Sequence, residues 1–554
     1  MATIKSYNKR LLNLRTERSS FIPTWQELSD YHLAHRGRFL TSDRNKGYKR
    51  NTKQQNNRSR LALRTLASGM MAGITSPARP WFRLGTADRE LKDNPAVKEW
   101  LHEVQTIIYS VFSKSNVYNT LHTVYAELGC FGTACMGLFE DFDDVVRGKV
   151  YTVGSYMLAT NGKDEIDTFY REYELRVAQL VSEFGIDNVS QPVRQQFESG
   201  NTEAWVKLVH VIEPNDKRDH NSPMARDKKY RSVYYERGGQ TQSADMFLLR
   251  SGFDDFPILA PRWDVTGEDI YATDCPGMTA LGDTKVLQLG ERRSFQAIDK
   301  VVNPPLQGPS SLRNKVGTSL RSGDIIWLDA TGQGLKSVYD FRPDLAAMEV
   351  KIEKAEQRVS RAFYEDLFLM LANSDRRQIT AREVAEKHEE KLLMLGPVLE
   401  RLQNELLDPL IDRTFNLLNE GGVFPPAPDE LLNQELRVEY ISVLAQAQQL
   451  VSIGGIERVT GFVESLAQVW PEARHKIDAF EAIDSYSDAV GTPPEIVRSD
   501  SDAAQLVQQD QQAAAAQQQA EQQQQQAQTM QHLSKTDTTG ENALANMVQS
   551  AGLS

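Results

Sequence analysis

The sequence predicts an α+β chain in which helices predominate, and three observations carry that expectation. Apolar residues recur at helical spacing over long stretches, the longest being Leu345, Met348, Ile352, Ala355, Val359, Phe363, Leu367 and Met370, which step by three and four along one stripe. Between residues 134 and 263, short runs rich in β-branched and aromatic residues alternate with turn residues, which is the pattern of strands. With 554 residues the chain exceeds what one core encloses, since cores rarely grow beyond roughly 250 to 300 residues, so several domains are expected.

In chain order, Ile4, Tyr7, Leu11 and Leu14 predict a first helix, and Pro23 opens a second in which Trp25, Leu28 and Tyr31 share a face. The stretch from Arg36 to Arg60 is basic and lacks apolar periodicity, so it reads as a loop or arm. Helix returns with Leu63, Leu66, Met70 and Ile74 and ends at Thr75-Ser76-Pro77-Ala78-Arg79-Pro80, because proline disfavours helix at the residue before it. One helix is expected over 97–128, and strands over 134–139, 149–153, 205–212, 231–235 and 258–263. Helix is expected over 174–198, and 216–229 is a polar, exposed loop. A further helix over 279–302 carries a rough stripe of Leu281, Val286, Leu289, Phe295 and Ile298. Residues 303–341 are rich in Gly and Pro, with strand-like pieces such as 324–328.

The long stripe that ends at Met370 gives way to Ala372-Asn373-Ser374-Asp375-Arg376-Arg377-Gln378-Ile379, and Thr380 with Glu383 forms a capping box that starts the next helix. A loop with adjacent arginines is therefore expected between two rods. By itself it reads as a solvated turn, and it lacks the interleaved aromatics that stack on single-stranded bases. Beyond Gly421-Gly422 and Pro425-Pro426, residues 431–485 read as helical with a break at Gly454-Gly455, and Pro493-Pro494 closes the ordered part. Residues 505–531 hold 15 glutamines in 27 positions, a composition expected to be disordered.

Charge and chemistry narrow the function classes. The net charge is −12, yet residues 1–64 contain 15 Lys/Arg against 4 Asp/Glu. A sequence-reading DNA binder is usually basic throughout. An acidic chain with local basic spots suits a protein that lets DNA pass without gripping it, because each phosphate contact adds affinity through counterion release. No run approaches the roughly 20 apolar residues that cross a bilayer, so no membrane partner is expected. There is no G-x-x-x-x-G-K-[ST] phosphate loop and no strand-linked G-x-G-x-x-G, which speaks against an ATPase, and no enzymatic activity or cofactor is expected.

Cys130, Cys135 and Cys275 read as buried thiols, since an odd count in a chain without a signal peptide argues against a disulfide framework. His32 and His35 read as an exposed or partner-facing pair, and Asp141, Asp143 and Asp144 as a solvated turn without the glycine and distal glutamate of an EF-hand. Glu383 with Lys387 reads as helix-surface support. No catalytic or metal-ligating set emerges.

Several segments taken together resemble a known family. Arg15-Thr16-Glu17-Arg18 through Trp25-Gln26-Glu27-Leu28 with Tyr31, then Leu66-Ala67-Ser68-Gly69-Met70-Met71, Thr75-Ser76-Pro77 and Trp81-Phe82-Arg83-Leu84, resemble the head-to-tail connector (portal) proteins of short-tailed, podovirus-type phages. Leu128-Gly129 with Phe131-Gly132, Pro261-Arg262-Trp263, Gly267-Glu268 with Tyr271, Pro276-Gly277 with Leu281, and Asn303-Pro304-Pro305 continue that order. The resemblance covers roughly residues 5–490.

It implies a phage portal fold of wing, stem, clip and crown, assembling into a ring, usually of twelve subunits, with an axial channel for double-stranded DNA. Mapped onto this chain, the wing takes 1–275, stem and clip 276–345, the long broken helix 346–420, the crown 421–500 and a Gln/Ala-rich tail 501–554. It makes Asn373, Ser374, Asp375, Arg376 and Arg377 the channel loop within 372–379. It implies terminase, major capsid protein, scaffolding protein and tail adaptors as partners, a place at the capsid portal vertex, and a passage through the host cytoplasm during assembly. The competing expectation is a helical capsid or tail adaptor, or scaffold, that never surrounds DNA.

Overall fold

A computed structural model describes residues 3–39, 54–86, 94–219, 224–238, 246–302, 306–307, 336–337, 344–372, 395–431, 436–442, 459–467 and 470–483, with single residues and short pieces elsewhere. The chain divides into two compact units, Met1–Ser452 and Ile453–Ser554.

In the first unit, α1 (Ile4–Arg18) buries the stripe expected for it, Ile4, Tyr7, Leu11 and Leu14, against Met157, Tyr170, Val209, Val211 and Tyr235. Those partners belong to an antiparallel five-stranded sheet in the order β4 (Tyr156–Thr160), β5 (Ile166–Arg176), β6 (Trp205–Pro214), β7 (Tyr230–Glu236), β8 (Leu249–Phe253). A second antiparallel sheet has the order β3 (Val145–Tyr151), β2 (Cys135–Asp141), β9 (Ile258–Leu259). Strands β4, β5 and β8 went unforeseen. The helix expected over 174–198 starts late because β5 runs to Arg176, and it is divided into α6 (Val177–Phe184) and α7 (Gln191–Glu198).

The main core gathers α2 (Ile22–Tyr31), α3 (Arg58–Gly73), α4 (Pro95–Lys114), α5 (Val117–Phe131), the start of α8 (Pro276–Val302), α9 (Leu345–Ala362), α10 (Glu365–Ala372) and α11 (Asp408–Glu420). The single helix expected over 97–128 is two helices, parted at Ser115-Asn116. The Asn116 side-chain amide there both donates to the Gly148 carbonyl and accepts from the Gly148 N–H, each at 2.8 Å. Two such bonds, each worth about 1 kcal/mol net, offset the interrupted helix ladder.

The helical reading of 431–485 fails at β10 (Leu436–Tyr440), which pairs antiparallel with β1 (Phe82–Thr86), Phe82 opposite Tyr440. Leu436, Val438 and Tyr440 alternate with Arg437 and Glu439, which is a strand period of two, and β1 offers the free edge that pairs with it.

In the second unit, 459–467 and 479–483 are helical and Pro471–Lys476 forms a 3₁₀ turn. Residues 505–509 are helical too, in line with the helix propensity of Gln, and most of the Gln-rich stretch lies outside the described residues.

Candidate functional site

The expected channel loop, Asn373, Ser374, Asp375, Arg376 and Arg377, lies outside the described residues, as do Thr380, Glu383 and Lys387. The helices that lead to it are described. The long stripe is seated as expected, with Ala355, Val359, Phe363 and Leu367 buried, but the helix is not continuous to Met370. It breaks at Phe363-Tyr364, where Tyr364 takes a φ of 52°. A left-handed backbone costs a non-glycine residue about 1 kcal/mol or more, so the surroundings must hold it. Phe363 is fully buried and meets the His32 ring edge-on at 5.5 Å between centroids. Glu365 and Asp366 then open α10, where acidic side chains complement the positive helix end.

That second start is pinned. The Arg58 guanidinium bonds the Glu365 carboxylate at 2.5 Å and the Ser360 hydroxyl at 2.6 Å, tying α3 to both sides of the break. Further along the same face, the Gln288 Oε1 accepts from the Gln55 and Asn56 backbone N–H groups at 2.5 and 2.9 Å. Its Nε2 donates to the Asn56 carbonyl at 2.7 Å. The Asn56 amide donates to Glu291 (2.9 Å) and Glu356 (2.7 Å), so one side chain bridges α8 and α9. Arg358 on Asp283, at 2.7 Å, and Gly290 against Ile352 fix these two helices antiparallel. Sequence reasoning missed this hub. Its signal was Gln288, a polar residue in line with Ala280 and Thr284 on the buried face of α8.

Close backbone approach completes the support. A Cβ on Gly69 would stand 2.3 Å from the Phe368 Cβ, so α3 and α10 touch where only glycine fits. A Cβ on Gly277 would stand 2.3 Å from the Cys130 carbonyl oxygen, and one on Gly129 would stand 2.7 Å from Leu66. The segments that carry the family resemblance are therefore packing residues around the junction of α2, α3, α5, α8 and α10. Tyr271 packs on Trp25 at 5.2 Å and ties in strand β4, its hydroxyl oxygen accepting from the Leu158 N–H at 2.9 Å. Arg262 holds Glu405 through Nε at 3.1 Å and Nη2 at 2.6 Å, and Glu405 lies in the π-turn Gln403–Leu407 that precedes α11.

His32 corrects an expectation. It is fully buried, with Nε2 3.1 Å from the Gly277 carbonyl, while its neighbour His35 is exposed. The two are separated because α2 turns His32 into the junction with α8 and α9. Burial lowers its pKa to about 4, so the ring is neutral at pH 7 and Nε2–H donates to that carbonyl. The three cysteines are free and buried, and burial raises their thiol pKa values. Asp141 accepts from the Asp143 and Asp144 N–H groups, a self-closed turn. Among the described residues, no group of three or more His, Cys, Asp or Glu is placed to hold a metal ion, and no helix is long and apolar enough to cross a membrane.

The stripe expected on 279–302 is only partly covered. Gly277, Ala280, Thr284 and Gln288 are buried, and steps of three and four carry the same face on to Phe295, Ile298 and Val302. These three are exposed by 61%, 42% and 70%. Where the body of the chain stops covering α8, its face becomes large and apolar. Val286 and Leu289 open on another side of the same helix.

The family described as "Bacteriophage head to tail connecting protein" matches residues 4–497. A protein of Salmonella phage epsilon15 named "Portal protein" is 44% identical over 546 residues, covering 98% of each chain. A "Probable portal protein" of Bordetella phage BPP-1 is 43% identical over 538 residues, covering 97% of this chain and 96% of that one. Among solved structures, a chain of the "Neck of empty GTA particle computed with C6 symmetry" aligns over 83% of this chain and 96% of its own, at 11% identity and a TM-score of 0.34. With a family match spanning nearly the whole length and relatives above 40% identity, the chain belongs to the bacteriophage head to tail connecting proteins.

Proposed function

We propose that this chain is the portal subunit of a short-tailed phage, forming a closed ring at one capsid vertex through which double-stranded DNA is packaged and ejected. The observation that carries the reading is end-to-end similarity, above 40% identity, to two phage proteins named as portals or probable portals. In this reading the major capsid and scaffolding proteins meet the ring during assembly, and terminase and then tail adaptors dock on it.

Ring formation is favoured by the open apolar face of α8. A heterologous contact between unlike surfaces of identical subunits closes into a ring when the rotation allows it. A second copy covering Phe295, Ile298 and Val302 would bury a surface that this chain leaves in water. Negative-stain images down the axis test the proposal. Rings with an axial hole are expected, whereas a monomer or an elongated dimer under all conditions would favour an adaptor that does not surround DNA.

The channel loop is the finer part of the proposal. Asn373, Ser374, Asp375, Arg376 and Arg377 follow directly on α10, which the Arg58–Glu365 pair and the Gly69 contact hold at its start and middle. A loop on such a braced helix would present two arginines per subunit to passing phosphates without reading sequence. Replacing Arg376 and Arg377 by alanine should alter DNA retention or ejection. Unchanged packaging, retention and ejection would remove the role.

A further inference from the structure

Between the three-stranded and five-stranded sheets lies a cavity of about 830 Å³, lined by aromatic rings and by the cations Arg15, Arg18, Arg38, Lys149 and Arg171 against Glu172, Glu174 and Glu183. The strand register places Arg171, His210 and Tyr234 side by side on β5, β6 and β7, so they form one row on one face. Lys149 and Tyr151 of β3 also line the space.

The charges there are unbalanced. Arg171 lies between two rings, its Cζ 4.7 Å from the Tyr151 centroid and 4.5 Å from that of Tyr173. Lys149 Nζ lies 6.0 Å from the same Tyr151 centroid, so two cations share one ring. Neither has a carboxylate within ion-pair distance among the described residues. Glu172, the acid nearest in sequence, is engaged by Arg15 and Arg237 instead. The Arg171 Nε–H finds no acceptor among the described residues.

His210 cannot balance them. It stacks on Tyr234 at 3.9 Å and bonds Ser232, and burial together with Arg171 and Lys149 lowers its pKa well below the ordinary value, leaving it uncharged. Burial and then Arg171 also lower the pKa of Lys149, with Glu183 acting the other way. Two like charges in a partly enclosed space repel and are poorly hydrated, and an arriving anion relieves both costs. Guanidinium is suited to a planar, two-oxygen partner.

We propose that this cavity is a binding site for an oxyanion, a phosphate or a carboxylate, held by Lys149 and Arg171. The group can come free from solution or on an acidic side chain of a second copy of the chain.

The test uses the full-length protein in phosphate-free buffer. Inorganic phosphate is titrated and followed by calorimetry and thermal unfolding, with sodium chloride at equal ionic strength as reference. Lys149→Gln removes one charge and none of the protein's hydrogen bonds described above, and Arg171→Lys keeps the charge but not the fork. Binding to the parent chain that weakens at least tenfold in both variants supports the site and a free oxyanion. No response to phosphate, with self-association weakened at least tenfold by Lys149→Gln while the subunit's melting is unchanged, supports the site and a carboxylate from the second copy. A phosphate response identical in parent and variants overturns the proposal, as does the absence of both phosphate binding and any change in self-association.

Discussion

Replacing Phe295 is the most direct test of how this subunit assembles. Fully burying a large apolar side chain is worth about 1.5–3 kcal/mol. Phe295 leaves 61% of itself exposed, so covering it is worth about 2 kcal/mol, and Ile298 and Val302, at 42% and 70%, raise the patch to about 4 kcal/mol per contact. Phe295→Ala should therefore weaken each subunit contact by roughly 30-fold, since each 1.4 kcal/mol is a factor of ten. Phe295→Asp should do more, because a carboxylate pressed against an apolar surface loses hydration without a partner. In a closed ring every contact carries the same lesion, so the loss repeats at each interface and assembly should fail steeply.

The assay is sedimentation velocity over a dilution series with axial negative-stain views. Unfolding of the separated subunit serves as the control, and it should change little, since Phe295 is 61% exposed. Leu12→Asp, at a singly exposed position of α1, should leave the assembled species unchanged. If Phe295→Asp yields rings that dissociate at the same concentration as the parent, the open face of α8 is not the subunit contact and the argument from exposure is wrong.

Three further outcomes follow from the geometry. Gly69→Ala should destabilise the first unit by about 1–3 kcal/mol, because the new Cβ meets a Cβ at 2.3 Å that no rotamer change can move; hydrogen exchange across 365–372 should rise, and unchanged exchange would mean that α3 and α10 are not in close contact. Burial raises the Glu127 carboxyl to about 7 against an ordinary 4.5, with Arg36 3.8 Å away opposing the shift and Thr152 and the Val153 N–H lying near. The folded state holds that proton more tightly, so this group's contribution of about 3 kcal/mol is complete below pH 4.5 and lost as pH rises through about 7; Glu127→Gln should flatten the difference in denaturation midpoint between pH 5 and pH 8. Arg262→Met should cost about 3 kcal/mol by leaving the Glu405 carboxylate with the residue 262 backbone N–H, at 2.8 Å, in place of the guanidinium fork; exchange over 403–407 is the readout, and unchanged exchange would show that the pair does not hold this turn.

Much of the helical layer was legible because one-sided burial leaves a period in the sequence. Leu11 and Leu14, Leu66 and Met70, and Val359 and Phe363 all lie where their spacing puts them. The break at Phe363-Tyr364 was not legible, since a left-handed tyrosine is imposed by its neighbours and its stripe runs on unbroken to Leu367. His32 looked exposed for a related reason: its burial depends on Gly277 and Phe363, 245 and 331 residues away. Strand β10 was overlooked inside a helical stretch because five alternating residues are too short a signal without the β1 edge that pairs with them. The cavity with Lys149 and Arg171 had no sequence signature at all, as it exists only through the register of separate strands.

The basic stretch from Arg36 to Arg60 gains a sharper meaning from its two ends. At one end, the Arg38 N–H bonds the Val153 carbonyl at 2.9 Å and the Gly37 N–H bonds the Thr152 hydroxyl at 2.9 Å. A Cβ on Gly154 would stand 2.3 Å from the Arg38 carbonyl oxygen, so that crossing also requires glycine. At the other end, Gln55 and Asn56 are locked to Gln288, and Asn56 reaches both Glu291 and Glu356. The same stretch is thus fastened to the sheet-bearing part of the unit at one end and to the antiparallel pair α8–α9 at the other. Arg58, two residues further on, grips the start of α10. The stretch is thus anchored at both ends, and it leaves beside the α9–α10 break, which Arg58 ties through Ser360 and Glu365.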